Sequence, residues 1–432
     1  MRRYLFTLGA LFAVSLAISG GIHIATSVQY IQYNFLGSAT LRDNIFAEII
    51  EVAPPALDHP DIRNIPDVIK EEVANAKFSL DMEVFSWYWY SSGPVAQISN
   101  AIREAASRGV RVRILMDNEM YREAIKGDAE KFLFQSMDNH PNIEIRQSRL
   151  PMHSKVFIID NATVIVSSAN LSNSAMTESR NIGVLVKGEI FGRAMTNIFE
   201  AGWSRNIPPS EFENGWPISW IKPVATPLDC PSWVPTTLET VVYLFKTAKN
   251  TVNVPTYVMS PPSALKNAVE NAAERGAFVR IIVDSEFGDP NEFPDIKTLD
   301  ELPRVEIKRA ELPGNGVYHS KTIVVDGKAG YVGSANWSAS SMIGRRELGV
   351  YFEDENLASA VEEIFRRDWS SKYVKYILPQ PDKITEFLVR AGIIFGILLI
   401  GVILFQESRR RKSIERRKKW VAELWGSVLT EI

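Results

Sequence analysis

The chain has 432 residues, a formal net charge of −3 and a single cysteine, Cys230. Its length is enough for two or three domains with large hydrophobic cores, and a hydrophobic content of 46% is typical of folded proteins. One cysteine excludes an internal disulfide framework and a metal site built from several cysteines. The small net charge excludes a globally basic surface of the kind that coats nucleic acid.

An uncharged segment follows the basic residues Arg2 and Arg3 at the amino terminus. It runs from Leu5 to Val28, and a helix needs about 20 apolar residues to cross a bilayer. We therefore predict a transmembrane anchor in residues 1–30. A cleaved signal peptide is the alternative, but the apolar run is long for one and has no clear cleavage site.

Residues 43–205 alternate between strand patterns and amphipathic helix patterns, which predicts an α/β sandwich with helices covering a sheet. AIREAASRGVRVRILMD, from Ala101, predicts a helix, a turn at Gly109 and a buried strand. HSKVFIIDNATVIVSSAN, from His153, predicts two strands joined by a hairpin turn at Asp160. This segment is the first lobe of the predicted fold.

The hairpin gathers polar side chains on one wall. Side chains two apart along a strand share a face, so His153 lies beside Lys155, and Ser168 and Asn170 can stand next to them. Lysine and amide groups suit the non-bridging oxygens of a phosphate, and histidine suits nucleophilic or acid–base catalysis. We therefore predict that Lys155, Ser168 and Asn170 bind a phosphate and that His153 is catalytic.

Residues 206–236 contain seven prolines and three tryptophans. This composition predicts a linker that wraps over the protein surface. We expect its tryptophans to pack against the lobes. The alternative is that they line a cleft or contact lipid headgroups.

Residues 237–378 repeat the first lobe at an offset of 166 residues. HSKTIVVDGKAGYVGSAN, from His319, aligns with the first hairpin without a gap, and AVENAAERGAFVRIIVD matches the upstream helix and strand. The other matching polar residues are Lys321, Asp326, Ser334 and Asn336. Because His153 and His319 recur within this repeat, a catalytic role is favoured over a structural one. The repeat predicts two homologous lobes related by a pseudo-two-fold axis, with the two polar walls facing one site.

A second uncharged run lies in residues 387–406, which we predict to be a transmembrane helix with Arg390 reaching the interface. A buried or peripheral helix is the alternative. Residues 407–432 form a basic tail, and basic flanks stay in the cytoplasm. We therefore predict an integral membrane protein with both termini cytoplasmic and an extracytoplasmic middle of about −10 formal charge. The tail either contacts anionic lipid or is a solvated helix.

The paired pattern H-x-K-x4-D-x6-G-S-x-N resembles the signature of the phospholipase D superfamily. The second copy matches it fully, and the first has Ser167 in place of the glycine. The resemblance covers about 76–370 and implies a bilobal fold and phosphodiester cleavage through a covalent phosphohistidine, without metal or cofactor. It also implies that Asp160 and Asp326, although part of the catalytic signature, mainly brace the two walls.

The resemblance further implies that a residue downstream of each motif orients the histidine of the other. These positions hold Asn181 and Glu347. Glu347 would pair with His153 and raise its basicity, whereas Asn181 would orient His319 without a charge. We therefore predict that His153 is the nucleophile and that His319 acts first as general acid and then as general base.

Two substrate classes remain open. We prefer a phospholipid, cleaved or transferred to an alcohol as in cardiolipin-type synthesis, because an acidic middle opposes the approach of a polyanion. The alternative is an extracytoplasmic nuclease acting on single-stranded DNA or RNA, with the aromatic run Phe85–Tyr90 stacking bases. An inactive binding module is disfavoured because both motifs keep their histidine and lysine.

Overall fold

The computed structural model describes residues 38–377, except 89, 127–136, 138, 205, 227 and 229, together with residues 408, 409, 412, 415, 416 and 419. The chain divides into two compact units, Met1–Ile377 and Leu378–Ile432, and both lobes belong to the first. Within the described residues, no helix is both long and apolar enough for a membrane span. Residues 1–30 and 387–406, predicted to be transmembrane, lie outside the described part of the chain.

The first lobe is built on an eight-stranded sheet with the order β1-β2-β8-β7-β6-β3-β4-β5. The strands are β1 (Ala39–Arg42), β2 (Ile45–Val52), β3 (Ser79–Val84), β4 (Arg111–Met116), β5 (Ile143–Gln147), β6 (Lys155–Ile159), β7 (Thr163–Ser167) and β8 (Asn181–Lys187). The helices are α1 (Ile65–Ala74), α2 (Pro94–Ser107), α3 (Asn118–Lys126), α4 (Asn173–Thr177) and α5 (Glu189–Ser204). β3, β4 and β5 are parallel, and β6 runs antiparallel to β3 at the centre of the sheet.

The second lobe repeats seven of these strands in the same order, in a sheet of order β18-β13-β12-β10-β14-β15-β17-β9, and its eighth strand, β18, lies at the opposite edge from β1. The strands are β9 (Ile221–Ala225), β10 (Thr251–Thr256), β11 (Met259–Ser260), β12 (Phe278–Asp284), β13 (Val305–Ala310), β14 (Thr322–Val325), β15 (Ala329–Gly333), β16 (Trp337–Ser338), β17 (Leu348–Glu353) and β18 (Val374–Tyr376). The helices are α6 (Thr237–Thr247), α7 (Ser263–Glu274), α8 (Pro294–Asp300), α9 (Ala339–Gly344) and α10 (Glu355–Ser370), with a 3₁₀ turn at Ser285–Phe287. β11 and β16 form a separate two-stranded sheet. The predicted α/β fold with two homologous lobes is therefore confirmed.

Local sequence explains the matching elements. Helix α2 begins at a proline and buries a stripe that includes Val95, Ile98 and Ile102, the spacing of one helix face. Gly109 and its repeat equivalent Gly276 have φ of +99° and +103°, a conformation that glycine adopts without steric cost, so the helix turns directly into the next strand.

The two lobes share a hydrophobic core. It contains Val164 and Ile198 from the first lobe and Val324 and Ile364 from the second, all fully buried. Helices α5 and α10 supply much of this core, and each carries an amphipathic pattern. Because the lobes are held together by apolar packing, the ends of their motif strands are fixed relative to each other.

The segment predicted as a linker, residues 206–236, contains strand β9, which pairs antiparallel with β17 at the edge of the second sheet. Its tryptophans are packed. Trp220 is buried, and Trp216 stacks on Trp233 with ring centroids 6.2 Å apart. The indole N–H of Trp216 donates to the carbonyl of Ile221 at 2.6 Å, which ties the segment to its own strand.

Candidate active site

The two motif segments meet the opposite lobe through their backbones. The N–H of His153 donates to the carbonyl of Arg346 at 2.9 Å, and the N–H of His319 donates to the carbonyl of Arg180, also at 2.9 Å. Short parallel bridges, Met152 with Arg346 and Arg180 with Tyr318, continue these contacts. The pseudo-symmetry of the sequence repeat therefore places both histidines at one site between the lobes.

The imidazoles of His153 and His319 face each other with ring centroids 6.4 Å apart and planes inclined at 67°. Their exposed fractions are 5% and 7%, so both side chains are almost completely buried. Two histidines at this separation can contact a phosphorus atom from opposite sides, which is the geometry of an in-line displacement.

The hydrogen bonds of the two rings determine their neutral tautomers. Nδ1 of His153 lies 3.2 Å from the carbonyl oxygen of Ser334, and Nδ1 of His319 lies 3.0 Å from that of Ser168. A carbonyl only accepts, so each Nδ1 carries the hydrogen and each Nε2 keeps its lone pair. Both rings therefore present Nε2 as the reactive nitrogen.

Glu347 and Asn181 occupy equivalent places beside the two rings. An oxygen of Glu347 lies 3.1 Å from Nδ1 of His153, and Oδ1 of Asn181 lies 3.2 Å from Nδ1 of His319. Both cross-lobe contacts are those expected from the sequence. Because only Glu347 carries a charge, the two histidines have different electrostatic surroundings.

Ser334 and Ser168, predicted to bind phosphate, use their hydroxyls elsewhere. Ser334 donates to Glu347 at 2.6 Å, and Ser168 donates to Asn181 at 2.9 Å. Ser341 donates to the other oxygen of Glu347 at 2.5 Å. The serines therefore hold the two side chains that contact the histidines, because each serine lies next to the start of the neighbouring strand, where its N–H donates to the carbonyl of Ile182 or Leu348.

The lysines of both motifs are buried next to their own histidines. Nζ of Lys155 donates to the carbonyl of His153 at 2.5 Å, and Nζ of Lys321 donates to that of His319 at 2.7 Å. An ammonium group has three donors, so each lysine keeps two for a phosphate oxygen.

Asn170 and Asn336 lie two residues after Ser168 and Ser334, on the segments that follow β7 and β15. The side-chain oxygen of each is buried and has no hydrogen-bond partner. Such an unpaired buried polar atom costs free energy, which a substrate or water partner would recover.

Asp160 and Asp326 lie at the hairpin turns, where they contact backbone and not the histidines. Asp160 accepts the N–H groups of residues 77, 78 and 79 at 2.7–2.9 Å, and Asp326 accepts those of residues 249, 250 and 251 at 2.8 Å. These bonds hold β6 and β14 to the start of β3 and β10. Both aspartates thus brace the two walls through these backbone contacts.

An aromatic side chain flanks each histidine. The ring of Phe85 lies 4.6 Å from that of His153, and the ring of Tyr257 lies 4.7 Å from that of His319. Lys155 and Lys321 approach these same rings, with Nζ 5.1 and 4.9 Å from the centroids. The aromatic walls remove water from the lysines and histidines, which strengthens their interaction with a bound anion.

Burial and like charge shift the pKa values of the site in one direction. Burial and the neighbouring Lys155 lower the pKa of His153 to about 4, although Glu347 opposes the shift. Burial and Lys321 hold the pKa of His319 well below its usual value. Burial lowers the pKa of Lys155 to about 7, and it holds that of Lys321 well below its usual value. A bound phosphodiester anion would raise these pKa values, because its negative charge stabilises the protonated forms.

Two supporting aspartates were missed by the sequence analysis. Asp117 accepts the N–H of Met152 at 2.8 Å, and Asp284 accepts the N–H of Tyr318 at 2.6 Å, each one residue before a motif histidine. The repeat contained the information needed to find them, because each aspartate ends one of the aligned segments ILMD and IIVD. Among the described residues, the site included, no group of three or more His, Cys, Asp or Glu side chains is arranged to hold a metal ion.

Comparisons with known proteins agree with this geometry. The family model of the phospholipase D-like domain of cardiolipin synthase matches residues 69–203 and 241–369. A probable phospholipase D of Caenorhabditis elegans is 25% identical over 370 residues, which are 70% of this chain and 65% of that protein. The chain thus spans slightly less than two thirds of that relative.

Two other relatives are named for different activities. A 5'-3' exonuclease of Bos taurus is 23% identical over 402 residues, covering 78% of this chain and 81% of that protein. Cardiolipin synthase A of Proteus mirabilis is 25% identical over 347 residues, covering 73% and 69%. The crystal structure of phosphatidylserine synthase from Haemophilus influenzae shares the fold, with a TM-score of 0.57, 14% identity and coverage of 86% of this chain and 99% of that one. Because the family model matches both lobes, the chain belongs to the phospholipase D superfamily of phosphodiester-cleaving enzymes, with two copies of the cardiolipin synthase-type domain.

Proposed function

We propose that the protein is a membrane-anchored phosphodiesterase that acts through a phosphohistidine at His153, and that its preferred substrate is a phospholipid. The observation that carries the proposal is the pair of histidines from opposite lobes, 6.4 Å apart, each with Nδ1 engaged and Nε2 available. Lys155 and Lys321 beside them supply donors for the non-bridging oxygens of the phosphate.

In the first step, the Nε2 lone pair of His153 attacks phosphorus and forms the P–N bond. The P–O bond to the leaving alcohol breaks, and His319 gives its proton to that oxygen. The phosphodiester anion raises the pKa of His319 on binding, which lets this ring hold the proton until it is needed. The Glu347 carboxylate, whose pKa lies below its usual value chiefly through its contact with His153 against the effect of burial, stabilises the positive charge on the phosphorylated ring.

In the second step, the acceptor is water or an alcohol. His319, now neutral, takes the acceptor proton while the acceptor oxygen attacks phosphorus and the P–N bond breaks. His153 leaves as a neutral imidazole, and His319 is again protonated. The same machinery therefore hydrolyses or transfers, according to which acceptor occupies the position beside His319.

A phospholipid substrate is supported by charge and by position in the chain. The middle of the chain has about −10 formal charge, which opposes the approach of a polyanion but not that of a lipid. The uncharged segments at 1–30 and 387–406 would tether the site beside a bilayer. With the basic residues inside, both termini are cytoplasmic and the catalytic lobes are extracytoplasmic.

A nuclease is the second candidate, favoured by the exonuclease relative, which the chain covers over 81% of its length. The aromatic run gives this candidate limited support. Trp87 is buried, with its indole N–H on Ser99 at 3.2 Å, whereas Tyr88 is 42% exposed and able to stack on a base.

The deciding experiment gives the purified full-length protein labelled single-stranded oligonucleotides in one reaction and vesicles of phosphatidylcholine or phosphatidylglycerol in another. We expect lipid turnover that disappears in His153→Ala and His319→Ala. Turnover of the oligonucleotide alone would overturn the lipid assignment and leave the phosphodiesterase assignment intact.

A further inference from the structure

Two buried arginines stand behind the catalytic histidines, and the reaction described above does not use them. Arg180 and Arg346 immediately precede Asn181 and Glu347 in the repeat, and their exposed fractions are 0% and 1%. Each offers its backbone carbonyl to the N–H of a histidine in the opposite lobe, at 2.9 Å. Their guanidinium groups must be paired, because an unpaired buried charge is very costly.

The guanidinium of Arg346 is held by the first lobe. It donates to Glu83 at 2.6 Å and to the carbonyl of Ile198 at 2.7 Å. The second oxygen of Glu83 accepts the hydroxyl of Ser154, the residue that follows His153, at 2.5 Å. Arg346 and Glu83 therefore fix the backbone on both sides of the histidine, at its own N–H and at its neighbour.

The guanidinium of Arg180 makes the equivalent connection with different partners. It donates to Asp368 at 2.6 Å, and the second oxygen of Asp368 accepts the hydroxyl of Tyr318 at 2.8 Å. Tyr318 directly precedes His319. Arg180 also donates to Glu51 at 2.5 Å and to the carbonyl of Leu57 at 2.7 Å, so its position is set from both lobes.

We infer that Arg346 and Arg180 are positioning residues, each of which sets one catalytic imidazole through a closed ring of hydrogen bonds. The ring of hydrogen bonds through Glu83 fixes the position of the His153 imidazole. The ring of hydrogen bonds through Asp368 fixes the position of the His319 imidazole. The two rings use a serine in one lobe and a tyrosine in the other, so each can be disturbed alone. The assignment of each ring to a reaction step rests on the proposed function, but the assignment to a histidine does not.

Conservative variants test the inference. Arg346→Lys and Arg180→Lys keep the charge and lose the planar fork that reaches a carboxylate and a carbonyl together. Ser154→Ala and Tyr318→Phe are gentler, since each removes one hydroxyl and leaves the ion pair intact. Arg113→Lys is the matched control, because Arg113 is also buried and bound to a carboxylate, Asp81, at 2.7 Å through two nitrogens, but it contacts neither histidine.

The first measurement is histidine-selective ¹⁵N NMR of the full chain in detergent, with resonances assigned by His153→Ala and His319→Ala. Arg346→Lys and Ser154→Ala should shift the His153 resonances alone, and Arg180→Lys and Tyr318→Phe those of His319 alone. Arg113→Lys should shift neither. Shifts of both histidines in every variant, or of none, would show that the arginines only support the fold and would overturn the inference.

The second measurement follows single turnover of bis-p-nitrophenyl phosphate by rapid quench. Arg346→Lys should slow formation of the phosphoenzyme by about 10- to 100-fold, since small misplacements of a reacting group cost up to about 100-fold. Arg180→Lys should slow its hydrolysis by a similar factor and leave formation nearly unchanged, because p-nitrophenolate leaves without a proton. Equal slowing of both steps in both variants would contradict separate rings. Absence of any phosphoenzyme in the wild type would contradict the proposed function instead, and the NMR result would still decide on the rings.

Discussion

The carboxylate of Glu347 lies 3.1 Å from Nδ1 of His153, across the boundary between the two lobes. At the equivalent place in the other half, an uncharged amide lies 3.2 Å from the ring of His319. The fold is therefore symmetric in its backbone and asymmetric in its charge. This difference in charge is the basis of the proposal that His153 is the nucleophile and His319 the general acid and base.

Glu347→Gln should slow formation of the phosphoenzyme by about 100-fold or more, because the positive charge on the phosphorylated His153 loses its counter-charge. Rapid-quench kinetics measure the effect. Ser341→Ala is the control, since it removes a hydrogen bond to Glu347 but keeps the carboxylate, and its effect should be much smaller. A wild-type rate in Glu347→Gln would show that the carboxylate is not needed for the chemistry.

His153 should be neutral in the empty enzyme throughout the physiological pH range. Burial and Lys155 lower its pKa to about 4, so the ring gains a proton only as the pH falls towards that value. Its ¹⁵N resonances, identified with His153→Ala, should not titrate between pH 8 and about 5.5. A midpoint near the ordinary histidine pKa of about 6.5 would contradict this account of the site.

The KM for a phosphodiester should rise as the pH increases past about 7. Burial lowers the pKa of Lys155 to about 7, and its ammonium, which we propose binds the phosphate, loses its charge as the pH rises through that value. The substrate itself does not titrate in this range, so the change in KM between pH 6 and 8.5 reports on the enzyme. A constant KM up to pH 9 would show that Lys155 stays charged or does not contact the phosphate.

Asp326→Ala should destabilise the fold without disabling the chemistry. The carboxylate accepts three backbone N–H groups, and losing bonds to a charged acceptor costs about 2 kcal/mol. Denaturant unfolding of the full chain should show the loss, and Asp160→Ala should behave alike. The kcat of the remaining folded enzyme should stay near that of the wild type. A large loss of kcat with unchanged stability would show that these aspartates take part in catalysis.

The sequence was sufficient to predict the lobes and the facing histidines, because an ungapped repeat carries both the strand pattern and the polar positions. The contacts of Glu347 and Asn181 were also within reach, since their alignment exposes the difference. The hydrogen-bond rings through Arg180 and Arg346 could not be predicted from the sequence. Their partners Asp368 and Glu83 are distant in sequence and do not occupy matching positions in the repeat. Strand β9 was not predicted, because a proline-rich composition is compatible with an edge strand as well as with a linker.

The roles of the serines could not be inferred from spacing alone. Ser168 and Ser334 share a face with groups that suit a phosphate, so a phosphate contact was the natural prediction. In the structure, the hydroxyl of Ser168 donates to Asn181, and the hydroxyl of Ser334 donates to Glu347. The strand face on which a side chain lies does not determine its hydrogen-bond partner, because that partner also depends on which residues the folded chain brings next to it.

The most direct test of the central claim is to trap the covalent intermediate and locate it. Full-length protein mixed with a phosphodiester and quenched in alkaline denaturant should yield a phosphorylated peptide that mass spectrometry assigns to His153. The adduct should be absent from His153→Ala and should accumulate in His319→Ala when the leaving group needs no proton. An adduct on His319, or turnover in His153→Ala, would contradict the account.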